Sequence, residues 1–155
     1  MHNDWIKDVA AQNAWNLNAE TTKQNAEVER RRKFNAHYQA FWSDLVKRLK
    51  AALNEYNSQP GIAGHTITFD VPNLEFKAER QSRRVWLSIK MDHEREVLEY
   101  RCHNHRGSVS IENTYKLIVA DNDGLSVVNP PQRGGSIIPN EFLEEVLLKP
   151  FLDIL

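Results

Sequence analysis

The chain has 155 residues, 41% of them hydrophobic and 26% charged, with a net charge of -1. That composition suits one globular domain burying roughly two-thirds of its unfolded surface, and it excludes an intrinsically disordered chain. The near-neutral charge gives no general drive towards nucleic acid or anionic membrane, and no apolar run approaches the ~18 residues of a membrane span. Cys102 is the only cysteine, so no intrachain disulfide can form, and a reducing, cytoplasmic compartment is expected. The start, Met1-His2-Asn3-Asp4, lacks the basic flank and apolar core of a signal peptide.

All six prolines and all six glycines lie after Gln59. In the second half of that breaker-free stretch, Phe34, Tyr38, Phe41, Trp42, Leu45, Leu49, Ala52, Leu53 and Tyr56 recur at spacings of three and four. That period predicts an amphipathic helix, ended by Asn57-Ser58-Gln59-Pro60-Gly61. Ala10, Ala14, Leu17, Thr21, Gln24, Val28, Arg31 and Asn35 carry the same phase backwards, as one continuous helix would. Five asparagines between Asn3 and Asn25 lower helix propensity and place a candidate break near residues 16–22. Trp5, Ile6, Val9, Trp15 and Leu17 are too apolar to stand in water, so docking on the body or on a partner is expected. Arg30-Arg31-Arg32-Lys33 reads as a solvated helix face paired with Glu27 and Glu29.

From His65 the hydrophobic period changes to two. Ile67, Phe69 and Val71 start a series of alternating strands that runs through Phe76, Val85–Met91, Leu98–Cys102, Ile111 and Leu117–Val119 to Val127. One apolar and one polar face per strand predicts a six-stranded antiparallel meander. Tight turns at Pro72-Asn73, Gln81-Ser82 and His93-Glu94 would pair Phe69 with Phe76, Phe76 with Leu87, and Leu87 with Tyr100. Tyr100 would then face Ile111, and a three-residue loop, Asn122-Asp123-Gly124, would pair Val119 with Val127. A bulge is expected at Asn113-Thr114. A second helix, opened by Pro139 and kinked or ended by Pro150, carries Phe142, Leu143, Val146, Leu147, Phe151 and Ile154. Leu148, Leu152 and Leu155 widen its stripe beyond what one sheet can cover. The expected fold is α+β: a helical extension over 1–33, and a single domain over 34–155 with both helices on one face of a curved sheet.

On the polar sheet face the deduced register sets Trp86 between Lys77 and Arg101, and Arg84 opposite His103. An aromatic flanked by cations can stack on a ring or a partner's side chain. His103 and His105 form a His-x-His pair without a third ligand, so no metal is assigned. Glu99 would face Glu112, as two solvated carboxylates. Asp121-Asn122-Asp123-Gly124 lacks the glutamate of a calcium loop. There is no glycine-rich phosphate loop and no nucleophile or zinc motif, so no catalytic residue and no cofactor are assigned. The reading is a non-enzymatic interaction or assembly module, acting through Trp5, Ile6, Val9, Trp15 and Leu17 and the C-terminal stripe, as a homo-oligomer or with a protein partner. Recognition on the sheet face at Lys77, Trp86, Arg101 and His103 comes third. The alternative is a small-molecule-binding or enzymatic domain with a cavity between sheet and helices.

Overall fold

The structure, a computed structural model, describes residues 3–104, 110–122 and 124–154, and all of these except the side chain of Arg83. Its first element is one unbroken helix, α1, from Asp4 to Asn57. At ~1.5 Å per residue its 54 residues extend about 80 Å. The candidate break near residues 16–22 is absent. Each asparagine costs only ~0.7 kcal/mol or less relative to alanine, and with no glycine or proline nothing stops the i to i−4 ladder.

Seven strands follow in meander order: β1 (Ile67–Asp70), β2 (Glu75–Arg80), β3 (Val85–Asp92), β4 (Val97–Asn104), β5 (Ser110–Val119), β6 (Leu125–Val128) and β7 (Ile137–Ile138). The sheet therefore has one strand more than the sequence predicts. The extra strand, β7, is two residues long, too short to show a period, and pairs Val127 with Ile138.

Every expected hairpin register is displaced by two residues. Phe69 faces Ala78, Phe76 faces Ile89, Ile89 faces Tyr100, Cys102 faces Ile111 and Leu117 faces Val127. In the β2–β3 and β3–β4 hairpins the cause is loop length. A two-residue hairpin turn needs positive φ at its centre, which Gln81-Ser82 and His93-Glu94 do not favour. Four-residue connections form instead, closed by Arg84 at φ 50° and Glu96 at φ 58°. A displacement of two preserves side-chain parity, so the apolar face survives. The expected bulge at Asn113-Thr114 is also absent, since β5 pairs continuously with β4 from Ser110 to Lys116.

Phe34, Trp42, Leu45, Leu49 and Leu53 of α1 are buried against the inward row Phe76, Leu87, Ile89, Leu98, Tyr100 and Tyr115. Polar clasps hold the helix down at both ends. Trp42 Nε1 donates to Asn73 O at 3.3 Å, and the Asn57 side chain exchanges two bonds of 2.8 and 2.9 Å with the Ile67 backbone. At the other end Arg31 donates to His93 O at 2.8 Å, and the rings of Tyr38 and His93 stack at 4.9 Å.

The C-terminal helix, α2, runs from Leu143 to Leu152, after a single tight helical turn over Asn140–Phe142. Pro150 sits in its last turn and the helix ends two residues later. The stripe that looks too wide for one sheet has two neighbours. Leu147 and Phe151 are buried in the core, where the Tyr100 hydroxyl donates to Leu147 O at 2.7 Å. Leu148 is buried where α2 lies along α1, with Arg48 of α1 bonded to Glu144 and to Asn140 O. Most of this stripe is covered within the chain; Phe142 remains exposed and Leu155 lies outside the described residues.

Candidate functional site

Residues 4–29 of α1 form a projecting arm, about 39 Å long, every residue of which is exposed. Among its side chains are Trp5 (63% exposed), Ile6 (48%), Val9 (49%), Trp15 (68%), Leu17 (63%) and Val28 (68%). Docking on the body is thus ruled out for the five residues that the sequence singles out. Contiguous large apolar side chains left uncovered are unusual on a folded protein surface. Those of the arm do not all share a face. At 100° per residue Ile6 and Val28 lie within about 20° of Leu17, whereas Trp15 is turned roughly 200° from it. Val28, seen in the sequence only as part of the periodic phase, belongs with Ile6 and Leu17.

The base of the arm is fixed by charge. Arg30 reaches Glu96 at 2.5 Å and Glu27 at 2.6 Å, while Arg31 lies 3.6 Å from Glu96. Arg32 pairs with Glu29. The basic run is therefore more than a solvated face, since two of its arginines clasp the β3–β4 connection. Hydrogen bonds from Arg30 and Arg32 hold the Glu27 and Glu29 carboxyls below their usual range. Donating to the Glu27 and Glu96 carboxylates raises Arg30 further above its ordinary value.

The second feature lies on the open face of the sheet. Trp86 is opposite Glu79 on one side and His103 on the other, with the Trp86 and His103 rings 5.4 Å apart and tilted by 35°. Lys77 and Arg101 occupy the adjacent row, each opposite Ser88, so Trp86 is diagonal to both cations rather than between them. Arg84 is in the turn and does not face His103. Thr68, Asp70, Lys77, Glu79, Trp86 and His103 line a depression of about 530 Å³. Arg101 is outside it, opposite Glu112 at 3.8 Å. Glu99 faces Lys90 and Thr114 and bonds Arg95 at 2.8 Å, so the expected Glu99–Glu112 pair does not form. His105 lies outside the described residues.

One side chain that the sequence does not flag, Arg80, is set by tertiary contact. Arg80 points inward in phase with Phe76 and Ala78, and its guanidinium donates to Ile154 O at 2.8 Å, Leu152 O at 3.3 Å and the Tyr56 hydroxyl. Cys102 is buried, as its inward strand phase predicts, and burial pushes its thiol pKa up to about 11. No protein-family model matches the chain, and no curated protein or solved structure matches it either.

Proposed function

We propose that the chain is a non-enzymatic protein-interaction or assembly module whose docking element is the arm. The observation that carries this reading is the uncovered stripe Ile6, Val9, Leu17 and Val28, spanning about 100° of one helix face, each residue about half exposed or more, on a helix continuous with the domain core. Covering a side chain that is about half exposed returns roughly 0.8–1.5 kcal/mol, half the value for a fully exposed one. Four of them give roughly 3–6 kcal/mol of gross stabilisation per copy, at the low end of the association cost. Docking is therefore weak and concentration-dependent. It is also rigid, because α1 is anchored in the body and little backbone is ordered on binding.

The test compares the full chain with a version lacking residues 3–29, by light scattering and thermal melting over a range of concentrations. The full chain should associate, or melt at a temperature that rises with concentration, and the shortened chain should do neither. Equal solubility, equal mass and equal melting of the two would overturn the reading.

A second reading, binding of a small flat ligand, is favoured by the Trp86–His103 depression on the open face rather than by a cavity under the helices, where Phe34, Leu49 and Leu53 are fully packed. Aromatic fragments that bind the full chain should lose binding in Trp86→Ala. Hits that survive the substitution would remove this site.

A further inference from the structure

We infer that the arm pairs antiparallel with the arm of a second copy of this chain, with Leu17 facing its own counterpart across a two-fold axis. This rests on the reading of the arm as a docking element and specifies its partner.

The argument starts from the spacing of the exposed stripe. Ile6, Ala10, Asn13, Leu17, Thr21, Gln24 and Val28 fall on one side of α1. Counted outward from Leu17, the steps are four, three and four residues towards the N-terminus, and four, three and four towards the C-terminus. A two-fold pairing is isologous, so a stripe must be complementary to its own reversal. This one is: Ile6 falls opposite Val28, Ala10 opposite Gln24, Asn13 opposite Thr21, and Leu17 opposite Leu17. The apolar residues meet at the two ends and the centre. The polar pair Asn13–Thr21 brings an amide against a hydroxyl, which are able to hydrogen-bond to each other.

Charge points to the same register. No charged residue lies between Val9 and Ala19. Residues beside a two-fold axis lie near their own copies, so any charge there would meet its like. The uncharged segment contains that centre. A parallel pairing would instead bring Asp4, Lys7, Asp8, Glu20 and Lys23 each level with its own copy.

Length agrees as well. In this register Asp4 of the second copy is level with Arg30, the first residue that binds the body through Glu96. The pairing uses the whole exposed arm and stops where the body begins. A shift of one heptad towards the body would drive the second arm into the β3–β4 connection. A shift the other way would leave the apolar ends uncovered. Trp5 and Trp15, turned about 120° and 160° from Leu17, stay on the outer side of such a pair, and Val9 flanks the seam.

The experiment uses the full chain carrying single cysteines, treated with oxidant or a short bifunctional thiol reagent and resolved on a non-reducing gel. Cys102 is buried, so the unsubstituted chain supplies the blank. Leu17→Cys should give a covalent dimer. Ile6→Cys alone and Val28→Cys alone should stay monomeric, while a mixture of the two should link. Efficient linking of Ile6→Cys to itself would overturn the antiparallel register but leave the arm as the docking element. A strict monomer by light scattering, with no linking of Leu17→Cys, would overturn self-pairing. The arm deletion then decides separately whether the docking reading also fails.

Discussion

Removing the guanidinium of Arg80 should unfasten the C-terminal helix. Arg80 is 6% exposed, and its donors satisfy Leu152 O and Ile154 O, carbonyls at the end of α2 that have no partner within the helix. Its cation also sits at the negative end of the helix dipole and over the Tyr56 ring, at 5.5 Å. Arg80→Met keeps much of the stem and deletes all of this. A hydrogen bond from a charged donor contributes about 1.5–3 kcal/mol net. Three acceptors would give more, but the buried cation is desolvated and its Nε has no partner. Leu152 and Ile154 are also half-buried, so water can reach part of what is left. A net loss of about 2–4 kcal/mol follows. For a chain of this length that is a fall in Tm of roughly 5–15 °C. Calorimetry measures it, and amide exchange at 149–154 should accelerate ahead of the rest of the core. Tyr56→Phe removes only one acceptor and should cost about 1 kcal/mol. An Arg80→Met protein melting within ~2 °C of the parent, with unchanged exchange in α2, would refute the clasp.

Deleting residues 3–29 should leave the melting of the body within about 3 °C at low concentration, because none of those residues is buried; a collapse of the fold would show that the arm is part of the core. Glu96→Gln should speed amide exchange at residues 27–34 while costing only about 0.5–1 kcal/mol, since Arg30 is 37% exposed and its ion pairs are partly screened; unchanged exchange would mean that Glu96 does not anchor the helix. Acid should loosen the same region. The Glu27 and Glu29 carboxyls are depressed in the folded chain, so their contribution is present above the ordinary carboxylate pKa of about 4.3 and is lost as pH falls through their lower folded values. Exchange at residues 27–33 that is equally slow below that range would count against this. The Cys102 thiol should resist a disulfide-exchange reagent near neutral pH until denaturant is added, and prompt stoichiometric labelling would show that the site opens in the native state.

The class of fold was legible in the residues because it depends on periodicity. Phe34 to Leu53 repeats at helical spacing and Ile67 to Val127 alternates, and burial follows both patterns closely. Which residues face each other was not legible. Parity survives any even displacement, so Trp86 could be assigned to the open face but not paired with His103 rather than Arg101. The deciding quantity was the conformation of Arg84 and Glu96, two residues that carry no turn signature of their own. Arg80 was hidden for another reason. A charged residue in an inward position reads as a strand end until the carbonyls of Leu152 and Ile154, more than seventy residues away, arrive beside it.

The sequence by itself determined that a breaker-free segment opens the chain, that its second half must cover a one-faced sheet, and that Trp5, Ile6, Val9 and Leu17 are too apolar for an ordinary solvent face. These are properties of composition and spacing along the chain, and they hold before any distant contact forms. Only the tertiary structure decided where cover was lacking. The overwide stripe of α2 found α1 beside it, because two helices share the inner face. The N-terminal stripe found nothing, because the sheet ends at the β3–β4 connection and α1 continues past it for 26 residues. Sheet width sets how much helix the body can bury, and everything beyond that limit stands in solvent.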